Sequence, residues 1–281
     1  PTTKSRWLQR MEVVVNALGL NDNIDDGAIE KAWLAKFEPK TIPQPAVRPS
    51  PCPPLASRPR QFSATEIDIW ITDPYAIYAK HILGLKRLDP LKKSPTAPLR
   101  GTVIHDILEA FIKAGPWRTA EQAKIKLLEL SQTMLQDLVP WPTARRMWQA
   151  RVARFADWFT EGEILRQAEL LSSHTEVWGR ANVTDTGFTL VGKADRVDVL
   201  HNGTARIYDY KTGPLPSNAQ QLHFDKQLLL EAEILQRGGF EGLNVLQVAE
   251  ATYIGVGNET KLAKAPLGED DVWVKFSALI I

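Results

Sequence analysis

Val191-Gly192-Lys193-Ala194-Asp195-Arg196-Val197-Asp198-Val199, a break at His201-Asn202-Gly203, and Ile207-Tyr208-Asp209-Tyr210-Lys211-Thr212-Gly213 form the stretch that decides the fold. Val, Ile and Tyr fill both arms with near two-residue alternation, and Asn202-Gly203 tolerates positive φ, so the stretch predicts a β-hairpin. With a three-residue loop and Gly203 in the left-handed conformation, Leu200 pairs with Thr204, Val197 faces Ile207 and Val199 faces Ala205. That register builds one apolar face and sets Asp195 opposite Asp209. A two-residue loop would put Val197 against Tyr208 and Val199 against Arg206, a poorer apolar match.

Carboxylates on facing residues, about 5 Å apart at Cβ, repel one another. A shared proton or an intervening cation relieves the repulsion. Lys211 follows Asp209 by two residues and so projects from the same face. Oxygen ligands of this kind suit Mg²⁺ or Mn²⁺, completed by waters and substrate phosphate oxygens. A lysine beside such a cation would steady an attacking water or the charge developing on phosphorus.

Asp195 followed by Asp209-x-Lys211 on the next strand resembles the site of PD-(D/E)xK nucleases, in the form found in RecB-like nuclease domains. Arg100-Gly101-Thr102-Val103-Ile104-His105 resembles that family's RGxxxH helix, Asp209 to Gly213 its DYKTG strand, and Gln227 its glutamine. The resemblance implies an α/β fold, a restriction-endonuclease-like central mixed sheet flanked by helices, with a helical N-terminal segment. It implies His105, Asp195, Asp209 and the Tyr210 carbonyl as metal ligands, with Asp195, Asp209, Lys211 and Gln227 as the catalytic set. Gln227 would orient Lys211 or touch DNA. Glu176 and the side chain of Tyr210 are further candidates. A lone histidine among Val103, Ile104, Ile107 and Leu108 is ordinarily a core or boundary residue, and only the RGxxxH setting raises His105 above that. Glu109, one turn on, reads as solvated, as do Lys193 and Asp198.

Ser63-Ala64-Thr65-Glu66-Ile67, Trp70 and Asp73-Pro74-Tyr75-Ala76-Ile77-Tyr78-Ala79 resemble the AddB branch, in the alphaproteobacterial style. That branch implies processing of DNA double-strand breaks, with single-stranded DNA as substrate and an AddA-like helicase subunit as partner. Two departures stand out. Asp73 stands where many relatives place the first cysteine of an iron–sulfur cluster, and Cys52 is the one cysteine in the chain, so no such cluster is expected. Glu231 stands where the Gln-x-x-x-Tyr version has tyrosine, so only Gln227 is carried over. Two alternatives stay open: a DNA-binding scaffold that does not cut, and a separate RecB-like nuclease.

Composition agrees without discriminating: the 281 residues are 44% hydrophobic and 24% charged, ordinary values for a globular protein. A formal charge of +1 does not advertise a polyanion ligand. Lys86-Arg87, Lys92-Lys93, Arg100 and Arg145-Arg146 read as solvated faces at least as well as phosphate contacts. No long apolar run marks a membrane span or secretory signal, so a cytoplasmic location without membrane association is expected. The chain opens on Pro1 rather than methionine, as a piece of a longer protein would.

Residues 1–40 read as a helical tail, with helices from Trp7 to Leu18 and Asp26 to Phe37. Prolines between Thr41 and Pro59 make residues 41–60 a linker. Residues 61–281 form the nuclease-like part, helical over 61–170 and α/β over 171–281. Ser63-x-x-Glu66 and Thr119-x-x-Gln122 open helices, Asp73-Pro74 restarts one, and a long helix runs from Pro142 to Leu170. Trp148, Phe155, Trp158 and Phe159 recur at helical spacing and belong to a core. Strands are expected over Glu176–Asn182, Phe188–Leu200, Thr204–Lys211 and Val245–Val256, with a helix from Asn218 to Gln236 crossing between the last two. A final family helix beyond Lys275 is expected to be missing.

Overall fold

The computed structural model describes residues 3–23, 27–37, 45–48, 50–88, 90–183, 187–245 and 247–268. The chain divides into two compact units, Pro1–Pro49 and Ser50–Ile281. The first holds α1 (Arg6–Ala17), capped by the Ser5 hydroxyl, and α2 (Ala28–Phe37). Neither helix buries a side chain. The expected helix start at Asp26, and the chain beyond Lys275, lie outside the described residues.

The second unit opens with β1 (Gln61–Ser63), α3 (Ala64–Thr72) and α4 (Pro74–His81). Ser63 and Glu66 form the reciprocal capping box, and Asp73 ends α3 and caps α4 with Pro74 in its first turn. Then come α5 (Ala97–Ala114), α6 (Ala120–Leu138) and α7 (Pro142–Gln167). Thr119 caps α6 through the Gln122 N–H, while the Gln122 side chain returns to Arg118 rather than to Thr119. The sheet portion holds β2 (Leu170–Val183), β3 (Phe188–Leu200), β4 (Ala205–Lys211), α8 (Asn218–His223), α9 (Gln227–Gln236), β5 (Val248–Gly255) and β6 (Leu262–Lys264).

The six strands form one mixed sheet in the order β1-β3-β4-β5-β6, with β2 on the other edge of β3. The β3–β4 hairpin has the expected register: Val197 pairs with Ile207 and Val199 with Ala205. The Leu200 N–H reaches the Thr204 carbonyl at 2.9 Å, and Gly203 takes φ +81°. β4 and β5 are parallel, joined over the sheet by α8 and α9. This is the restriction-endonuclease-like α/β fold: a central mixed sheet flanked by helices.

One core joins α3, α9 and one sheet face, through Ile67, Leu228 to Leu230, Val197 and Ile207. The other joins α5, α6 and α7 to Tyr208, Tyr210, Ile254 and Val256. Trp148, Phe155 and Phe159 lie in the second core, with Trp158 packed against it. The single helix expected over Asn218–Gln236 is instead two. At the break the Asp68 carboxylate of α3 accepts the Lys226 N–H at 2.7 Å, a tertiary bond that local sequence does not announce.

Asp198 is not on the surface. It is 1% exposed, and Arg196, two residues away on the same face, donates to both its oxygens at 2.7 Å. Glu163 on α7 accepts two further bonds from Arg196, at 2.7 and 2.8 Å. A guanidinium with no exposure needs this many acceptors, which draws Asp198 inward. Lys193 is exposed, as expected.

Candidate active site at a fork in the sheet

β2 runs along the whole of β3, but the opposite edge of β3 is shared. β4 pairs with it only from Val199 to Arg196, and β1 only from Val191 to Thr189. Asp195 lies in the gap between. The β3–β4 ladder stops one pair short of Asp195 and Asp209, and the Tyr210 N–H donates to Asp195 Oδ2 at 2.9 Å instead. β4 continues along β5, with Asp209 opposite Tyr253 and Lys211 opposite Gly255. The strands thus part where the two carboxylates sit, and the Asp195 side chain takes the place of a ladder bond.

The alternation of β3 also breaks there. Ala194 and Val197, three residues apart, both enter the core under α9, whereas Arg196 turns to Glu163 on α7. On β2, Thr175 pairs with Arg196 and Val177 with Ala194, so Glu176 faces Asp195. Glu176 has φ +55°, a left-handed conformation that costs a non-glycine residue about 1–2 kcal/mol. Its carboxylate pairs with Lys193 and makes no hydrogen bond to the other candidates.

α5 brings His105 to this gap. Its apolar residues Val103, Ile104, Ile107 and Leu108 are buried, which leaves His105 on the rim. At Gly101 a Cβ would stand 3.5 Å from Thr212 Oγ1, so α5 lies directly against the end of the Asp209–Gly213 segment. His105 Nδ1 is 3.2 Å from Asp195 Oδ2. Burial alone would lower the imidazole pKa. Hydrogen bonding to Asp195, the charges of Asp195 and Asp209, and the Tyr210 backbone outweigh it, and the pKa is raised. Glu109 is tied to Lys113 at 2.5 Å and takes no part.

Asp209 is 3% exposed. Its burial, opposed by Lys211 and reinforced by Asp195, pushes its carboxyl up to about 6. Lys211 Nζ lies 2.9 Å from Asp209 Oδ2, without the geometry of a hydrogen bond, and 3.2 Å from Gln227 Oε1. Gln227 Nε2 donates to Asp209 Oδ1 at 2.8 Å and to Glu231 Oε1 at 3.1 Å. The candidate side chains other than Glu176 and Tyr210 thus form two polar groups, His105 with Asp195 and Asp209 with Lys211 and Gln227, and the Tyr210 N–H on β4 ties Asp195 to the strand that carries the second. The Tyr210 ring is buried in the second core, so this residue faces the site through its backbone.

Two residues that sequence reasoning did not place here belong to the surroundings. Glu231 is 2% exposed, and its Oε2 is buried with no hydrogen-bond partner. Its burial and the charge of Asp209 raise its pKa well above the carboxylate range. The signal was present, since Glu231 is a carboxylate within Leu228–Leu230, Ala232, Ile234 and Leu235, all buried. Tyr253 lies beneath the Lys211 ammonium, 5.0 Å from its ring centroid, and donates its hydroxyl to Asp225 at 2.6 Å. Its position follows from the β4–β5 register, which sequence does not fix.

The donor set fits a hard divalent cation. It offers two carboxylates and an imidazole, with Asp209 Oδ2 buried and not hydrogen-bonded. Among the described residues no three His, Cys, Asp or Glu side chains already converge as a metal-holding group. His105 and Asp195 engage each other, and Asp209 engages Lys211. No helix among the described residues is long and apolar enough to cross a membrane.

An uncharacterized protein of Rickettsia conorii is 28% identical over 199 residues, covering 68% of this chain and 24% of the relative. One of Rickettsia typhi is 27% identical over 213 residues, covering 73% and 25%. The chain thus spans about a quarter of the length of these curated relatives. The crystal structure of SSO0001 matches with a TM-score of 0.29 and 12% identity, over 64% of this chain and 85% of that one. The family model of the PD-(D/E)XK nuclease superfamily matches residues 61–276. With three-quarters of its length under that model and paired aspartates at the fork of a mixed sheet, the chain belongs to the PD-(D/E)XK nuclease superfamily.

Proposed function

We propose that this chain is a Mg²⁺- or Mn²⁺-dependent deoxyribonuclease that hydrolyses phosphodiesters of single-stranded DNA. We place it as the nuclease part of an AddB-type helicase–nuclease, working with an AddA-like helicase subunit on double-strand breaks. The observation that carries the activity is the pair of contact groups at the strand fork, His105–Asp195 and Glu231–Gln227–Asp209–Lys211. The AddB placement is supported by the Ser63–Ala79 motifs and by relatives about four times longer than the matched region.

A divalent cation held by His105, Asp195, Asp209 and the Tyr210 carbonyl would polarise the scissile phosphate and supply a water of lowered pKa. Lys211, fixed between Asp209 and the Gln227 carbonyl, presents its ammonium to the nucleophile or to the charge gathering on phosphorus. Gln227 holds Asp209 and Lys211 at a set separation, and Asp195 keeps His105 oriented. Water adds to phosphorus as the bond to the 3′ oxygen breaks, leaving a 5′ phosphate and a 3′ hydroxyl.

The test is cleavage of single-stranded DNA by the 281-residue chain in Mg²⁺ and in EDTA. Asp209→Ala and Lys211→Ala are expected to lower Mg²⁺-dependent cutting by at least about a hundredfold each. Binding without cutting in Mg²⁺ would leave a scaffold role.

A further inference from the structure

Beyond the fork the β2–β3 ribbon is covered on one face only. Ala181, Val183, Leu190 and Ala194 point into the core under α9. On the opposite face Trp178, Arg180, Asn182 and Lys193 are exposed. Strand register places them in sequence from the site: Glu176 faces Asp195, then Trp178 pairs with Lys193 and Arg180 with Val191. Successive residues on one face are about 7 Å apart along a strand. Such a step is comparable with the reach of one extended nucleotide.

Trp178 is 56% exposed, and the Lys193 ammonium lies 5.9 Å from its ring centroid. Lys193 is neutralised by Glu176. Arg180 makes no ion pair among the described residues. A single exposed aromatic is unremarkable on most surfaces. This one stands two register pairs from the candidate catalytic Asp195, the next position on the same face, on a ribbon leaving the site, with an unpaired guanidinium two residues further on. A DNA strand with a phosphate at the fork and leaving along β2 passes over it. An indole offers a π-face that any unpaired base can stack on, whereas bases inside a duplex have both faces occupied.

We propose that the exposed face of β2 at Trp178 and Arg180 is a binding subsite for single-stranded DNA. An unpaired base stacks on the Trp178 indole, and Arg180 takes an adjoining phosphate. This rests on the nuclease reading and gives it a path for the strand and a preference for unpaired substrate.

The experiment is fluorescence anisotropy of a labelled oligothymidylate, and of a blunt duplex, with the 281-residue chain in EDTA, followed by cleavage of the same oligothymidylate in Mg²⁺. Trp178→Ala is expected to weaken oligothymidylate binding about tenfold, with Trp178→Phe close to wild type and duplex binding unchanged. Arg180→Ala is expected to shallow the plot of log affinity against log salt by about 0.7. In cleavage, Trp178→Ala should raise KM and leave kcat in place. Wild-type affinity in Trp178→Ala, or equal weakening for single strand and duplex, would overturn the subsite. Trp178-dependent binding by a chain that cuts nothing would instead overturn the nuclease reading and leave the subsite standing.

Discussion

Gln227 has one carbonyl and two amide hydrogens, and each has an assigned partner: Lys211, Asp209 and Glu231. Glu231 therefore determines which way the amide faces, and through it where Lys211 stands. Glu231→Gln keeps an acceptor oxygen at that place and should leave kcat within a few-fold of wild type. Glu231→Leu removes the acceptor and should lower kcat by about 10–100-fold, with little change in substrate affinity. Steady-state cleavage kinetics on both variants checks this. His105, Asp195, Asp209, Lys211 and Gln227 were legible in the sequence because motif spacing and one hairpin register bring them together. Glu231 was passed over because its position matched tyrosine in the resembled motif. The stronger clue was physical: a carboxylate flanked by Leu228–Leu230, Ala232, Ile234 and Leu235 on the buried side of its helix.

At the scale of elements, the site exists because β3 changes partner along one edge. The hairpin turn at Asn202-Gly203 fixes the register, so β3 and β4 could be read closely from alternation and turn chemistry. The fork could not. Pair arithmetic runs on past Arg196–Tyr208 without a sign that the ladder stops, and the β1 strand that takes over at Val191 is three residues long, too short to show in a pattern. The break between α8 and α9 depends on Asp68, 158 residues away, and so was equally hidden. Backbone strain is stored opposite Asp195 at Glu176. Glu176→Gly relieves the left-handed strain at the cost of a partly exposed ion pair worth little. It should stabilise the fold by up to about 1 kcal/mol in urea denaturation.

Across the whole of the Ser50–Ile281 unit, α7 is bound to the sheet by a buried charge network. Arg196 bridges Glu163 and Asp198, and Arg166 adds a bond to Glu163 at 3.0 Å. Burial would raise Glu163, but the arginines win and hold it below the ordinary carboxylate value of 4.5. A depressed folded pKa contributes stability above the unfolded value, and this is lost as pH falls through the folded one. Glu66 behaves alike. Burial opposes ionisation, yet Lys80, the Ser63 N–H and His81 bring it down to about 2. Urea midpoints should therefore fall as pH drops from 4.5 toward 2. Glu163→Gln should cost about 3–5 kcal/mol at neutral pH, since it strips a partner from a buried cation.

The parted strands set Asp195 and Asp209 where a shared divalent cation would offset their repulsion. Calorimetric titration of Mn²⁺ into the 281-residue chain, and into Asp195→Asn and Asp209→Asn, tests it most directly. Saturable binding by the wild type, lost or weakened at least about tenfold in each variant, is the expected result. Mn²⁺ binding that is unaltered by both substitutions would contradict the account.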